Sequence, residues 1–145
     1  KSFLPGLICG LIFLFLVFIN SQNKWKFIFI VFSISVVGYL FDSILVNLRI
    51  YDFNTSVNVG VLPIWMLVLW PSFATLFDEI LVFLSKYKLI ALMLSGSLGP
   101  LTYYSGDPLG LIDINNSIFF FILMIPFWIF LMLFYLNFLL RLRLN

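Results

Sequence analysis

Apolar residues fill five long blocks of the chain, separated by short polar breaks. A hydrocarbon core of about 30 Å is crossed by about 20 helical residues rising 1.5 Å each. On that measure the blocks predict helices over 3–20, 27–48, 61–85, 89–105 and 116–140. The fourth is short. Its Ser95-Gly96-Ser97-Leu98-Gly99-Pro100 stretch predicts either a kinked, partly unwound helix or a seam of small packing residues, and unwound backbone at membrane depth is tolerated only where protein or a cavity satisfies it. Pro71 and Pro126 mark kinks in the third and fifth helices, since proline removes a backbone donor from the ladder. Gly6 and Gly10 form a small-xxx-small pair suited to close helix contact. With no repeat, linker or soluble insert, residues 1–145 read as a single transmembrane domain: an all-α, polytopic bundle of about five membrane-spanning helices.

Composition sharpens the picture. Apolar residues make up 63% of the chain, 19 residues are Phe, only 10% are charged, and the mean hydropathy is +1.18, which leaves no polar surface for a water-soluble fold. The one cysteine, Cys9, cannot close an intramolecular disulfide, and the absence of histidine removes the commonest nitrogen ligand and general base. No metal, no cofactor and no nucleic acid is therefore expected. Membrane lipids are the expected partners, with other membrane subunits as a second class.

The polar breaks carry a topology signal. Lys24, Lys26, Lys86, Lys88, Arg141 and Arg143 fall on one side of the predicted bundle, whereas Lys1 and Arg49 fall on the other with Asp52, Asp107 and Asp113. The positive-inside rule makes the first side cytoplasmic, with the C-terminus inside and Lys1 outside. The chain opens on Lys1 and not on Met, and a helix ahead of it would return the N-terminus to the cytoplasm.

Within this frame Asp42 is the residue that asks for an explanation. An intramembrane carboxylate costs about 2.5–3.5 kcal/mol at a helix centre, and each surrounding Phe, Ile, Leu or Val returns about 0.3–0.6 kcal/mol, so the second helix inserts regardless. Two readings stand side by side: a functional carboxylate, or a structural clamp bonded to Ser or Tyr neighbours. Ser35, Gly38, Asp42, Leu45 and Arg49 share one helical face, which should turn into the bundle. Depth counting places Asp42 roughly 24 Å and Tyr103 roughly 22 Å above the cytoplasmic end, with Trp65 in the same outer third. Asp42, Trp65, Tyr103 and Tyr104 are thus the candidate ligand-binding residues. Asp78 and Glu79 form a secondary acidic site near the cytoplasmic boundary, where contact with water or Lys86 explains them as well as acid–base work does. Asp107 and Asp113 fit turns of an outer loop.

The ordered segments Gly38-Tyr39-Leu40-Phe41-Asp42, Pro63-Ile64-Trp65-Met66 and Gly99-Pro100-Leu101-Thr102-Tyr103 resemble a family of small bacterial inner-membrane proteins known only as a domain of unknown function. The resemblance implies the fold and a multi-pass place in the bacterial inner membrane, and it implies no reaction. Asp78-Glu79 and Asp107-Pro108 depart from the pattern. A weaker similarity links the chain to membrane-integral lycopene cyclases, which set an Asp near one helix end and a proline-led motif at the next. Here Ile64 and Trp65 follow Pro63 where those enzymes need acids, so the similarity implies at most an apolar isoprenoid or acyl ligand.

Three functions fit the residues. The first is an accessory or scaffold subunit packing against other membrane proteins, favoured by the absence of a complete catalytic set and pointing away from an enzyme. The second is binding or modification of a lipid-phase ligand near Asp42. The third is a small proton-coupled carrier, which lacks the inverted repeat that alternating access usually rests on.

Overall fold

The computed structural model describes residues 4–55 and 57–141, with the side chains of 76–84 left out of the description. It is mostly helical. In chain order it comprises α1 (Leu4–Asn20), α2 (Lys24–Asn47), β1 (Tyr51–Phe53), β2 (Asn58–Val59), β3 (Leu62–Pro63), α3 (Met66–Leu84), α4 (Lys88–Tyr104), β4 (Ile112–Ile114) and α5 (Ser117–Phe134), which continues as a π-helical turn, Tyr135–Leu139.

Local chemistry sets the helix ends. Helix α2 starts at Lys24, three residues earlier than its apolar block, because the Asn23 side chain accepts from the Lys26 backbone N–H at 3.1 Å. Asn116 caps α5 in the same way, accepting from the Phe119 N–H at 3.1 Å. At the far end of α2, Arg49 adopts a left-handed conformation (φ 55°), and the chain turns back toward the helix it has just left.

The third helix departs from expectation. It begins at Met66 and not at residue 61, because Asn58–Val59 and Leu62–Pro63 pair as an antiparallel hairpin turned through Gly60 at φ +64°. A second ribbon joins β1 to β4 antiparallel, so the segment after α2 pairs with the segment before α5. These strands are additions to a helical protein. Hydrophobicity alone did not separate a short hairpin from the helix that follows it.

The fourth helix is short, at 17 residues, but it is unbroken through Ser95–Pro100. Packing accounts for this: Gly96 lies against Ile129 and Gly99 against Trp128, and α4 makes its most extensive contact with α5. Pro71 and Pro126 likewise lie inside helices that continue past them. Among the described residues, helix α2 packs mainly on α3, and α1 lies against α3, whereas α3 and α4 touch only sparsely.

The core runs along these contacts, with Ile34, Leu45, Met66, Ala74, Phe120 and Leu131 wholly buried. Large apolar side chains also cover the outside, among them Phe32, Leu89, Ile118 and Phe138. Two helical stretches, Lys24–Asn47 and Ser117–Leu139, are long and apolar enough to cross a membrane, and Leu4–Asn20 is a shorter apolar helix.

Candidate functional site

Asp42 lies on the face of α2 shared with Gly38 and Leu45, all three buried. Its side chain is wholly withdrawn from the surface. Three donors converge on it: Tyr51 Oη reaches Oδ1 at 2.6 Å, and Trp70 Nε1 and Tyr103 Oη reach Oδ2 at 2.7 and 2.8 Å. Because the donors belong to β1, α3 and α4, one carboxylate on α2 joins four elements. A carboxylate offers about four acceptor positions, so three are already occupied. Burial first, and the neighbouring carboxylate second, push the Tyr51 hydroxyl above the ordinary phenol range, which keeps it a donor.

Glycines make this convergence possible. A Cβ at Gly38 would stand 2.4 Å from three atoms of the Trp70 ring, so only glycine lets that indole lie flat on α2 one turn before its acceptor. Gly99 does the same for Trp128, one turn before Tyr103, where a Cβ would fall 2.2 Å from the ring. The two tryptophans then stack on each other, with ring centroids 5.8 Å apart and planes at 22°, and Phe73 meets Trp128 edge-on at 5.0 Å.

Beside this cluster is a cavity of about 390 Å³. Trp65, Trp70, Phe73, Tyr103 and Trp128 line it, together with Phe53, Met66, Leu69, Thr102, Gly106, Leu111 and Ile112. No charged side chain is among them. Trp70 and Tyr103 therefore present aromatic surface to the cavity while their polar atoms engage Asp42 on the other side.

The structure brings together Asp42 and Tyr103, places Trp65 on the cavity wall, and leaves Tyr104 outside, 43% exposed and tilted against Phe121. The tryptophan bonded to Asp42 is Trp70. Starting α3 five residues later moves each of its residues about 7.5 Å toward the outer end, which brings Trp70 to the level assigned to Trp65. Tyr51 went unrecognised because Arg49 turns the chain back on itself, and sequence spacing alone does not show such a reversal. Asp78 and Glu79 have side chains outside the described residues. Asp52 and Asp113 face each other across the β1–β4 ribbon, where Asn115 Nδ2 donates to Asp52 at 3.0 Å, and Asp107 sits in a turn closed by the Gly110 N–H. Among the described residues no cluster of acidic, Cys or His side chains could hold a metal ion.

The family described as "Protein of unknown function (DUF2878)" matches residues 1–134. No curated protein and no solved structure matches the chain.

Proposed function

The chain belongs to the DUF2878 family, whose function is unknown, and on that premise we propose that it is a multi-pass inner-membrane protein that holds a lipid-phase molecule, acyl or isoprenoid, in its aromatic cavity. The observation that carries this reading is the uncharged cavity of about 390 Å³ beside the Asp42 network. Ligand pockets occupy about 300–1,000 Å³, and an apolar void of about 150 Å³ already takes up benzene. Asp42 serves as the tie that positions the wall. Its three donors leave it little capacity for a ligand, and the rings of Trp70 and Tyr103 stand on the cavity side.

A second support is the sparse contact between α3 and α4, which flank the cavity. A gap between neighbouring helices is a lateral entry for a molecule already dissolved in the bilayer. The accessory reading draws on the lack of a complete catalytic set and on the exposed apolar surface, and lipid accounts for that surface equally well.

A photoreactive diazirine carried on a fatty acyl or prenyl chain tests the site. After irradiation in membranes, adducts should concentrate on peptides bearing Trp65, Leu69 and Leu111. Labelling spread evenly over the outward faces of α1 and α5 would count against the cavity.

The five-span arrangement, with the C-terminus in the cytoplasm, makes its own prediction. In a Cys9→Ala background, Asn58→Cys should react with an impermeant maleimide in intact spheroplasts, whereas Gln22→Cys should react only after permeabilisation. The opposite pattern would invert the topology.

A further inference from the structure

The hydrogen-bond state of the cavity wall bears on what the cavity takes. Of the side-chain N–H and O–H groups on the wall, Trp70 Nε1 and Tyr103 Oη donate to Asp42, and Thr102 Oγ1 donates to the Gly99 carbonyl at 2.6 Å. The two remaining indoles have no such partner. Trp128 Nε1 is buried without one, and Trp65, half-buried and edge-on to Phe53 at 5.5 Å, makes no side-chain hydrogen bond among the described residues. Indole can only donate. An unmet acceptor lone pair is common in proteins, but an orphaned buried N–H is rare, so Trp128 Nε1 calls for an explanation.

Two indole N–H groups of the lining residues are therefore without an acceptor, and no lining side chain is a cation to meet an anion. Resting on the cavity reading above, we infer that the bound molecule is an uncharged lipid-phase carbonyl compound, whose oxygen accepts from Trp65 and, after a small shift of the ring, from Trp128. Fatty carboxylates and lipid phosphates are disfavoured, since an anion would enter an aromatic space with no counter-charge and with the Asp42 carboxylate close behind. Two sources supply the favoured chemistry: a quinone, whose flat ring suits aromatic walls, and an acyl ester.

The full chain in nanodiscs can be tested with four probes of matched length: a prenylated benzoquinone, a fatty acid methyl ester, a hydrocarbon and a fatty carboxylate. Apparent affinity is read from the ligand-dependent rise in melting temperature. At least one carbonyl probe should bind about fivefold tighter than the hydrocarbon, as one added hydrogen bond gives, and the carboxylate should bind more weakly than either. A stronger quinone identifies a ring-headed lipid as the source, and a stronger ester an acyl lipid. The carbonyl stretch of the bound probe should move to lower wavenumber. In the Trp65→Phe/Trp128→Phe double variant that shift should vanish, and the carbonyl probes should bind no more tightly than the hydrocarbon does to the same variant. If carbonyl probes bind only as well as the hydrocarbon, or the carboxylate binds best, this inference fails and the cavity reading survives. If none of the four binds, the cavity reading itself fails.

Discussion

Asp42→Ala is expected to destabilise the protein more than any other single substitution at the site. It removes the one acceptor for Tyr51, Trp70 and Tyr103 and leaves three buried donors with no partner. Each orphaned donor costs about 1–3 kcal/mol, so a loss on the order of 3–9 kcal/mol follows, read as a lower midpoint in thermal or denaturant unfolding of the purified protein. Asp42→Asn should cost much less. Its carbonyl can stay where Oδ2 receives Trp70, which can only donate, while the new amide NH₂ faces Tyr51, whose hydroxyl can rotate to accept. The order alanine, then asparagine, then wild type therefore distinguishes a hydrogen-bonding tie from a site that needs a charge. Asparagine as damaging as alanine would show that the negative charge itself holds the four elements together.

The second large effect belongs to Gly38→Ala. The added methyl would meet the Trp70 ring at 2.4 Å, and that ring is pinned by its bond to Asp42 and its stack on Trp128. Overpacking costs about 1–3 kcal/mol, and displacement of the indole from Asp42 raises the total to about 2–4 kcal/mol. In a Trp70→Phe background the same substitution should cost less than half as much, because the smaller ring leaves room. Additive losses in the double variant would show that Gly38 and Trp70 act independently. Gly6→Ala is the control of opposite sign: nothing lies within 4 Å of its Cβ, so the helix gains about 0.5–1 kcal/mol from the more helical residue.

These two residues also show what was readable in the chain. Helix number, the buried face of α2 and the pairing of Asp42 with Tyr103 follow from apolar run length, helical spacing and depth, because those quantities depend only on local geometry. The hairpin at Asn58–Pro63 was not readable as such, since Val61 and Leu62 run on into the apolar block of the helix they precede. That one misread boundary shifted the register of α3 and put Trp65 where Trp70 belongs. Tyr51 depended on a left-handed Arg49, a conformation favoured for glycine and imposed here by tertiary contacts. The continuity of α4 through Pro100 had the same origin: packing against α5 outweighed a local breaker. The roles of Gly38 and Gly99 as shelves for indoles became visible only once their partners on α3 and α5 were in place.

The central claim is that the Asp42 tie holds a cavity in which a lipid-phase molecule sits. Mass spectrometry of molecules that co-purify with the protein from its membrane tests this most directly, comparing wild type with Leu69→Trp, which places a larger side chain on the cavity wall. Wild type should carry a defined apolar species at close to one per chain, and the variant, folded and equally abundant, should carry little of it. Identical profiles of bulk membrane lipid from both proteins would contradict the account.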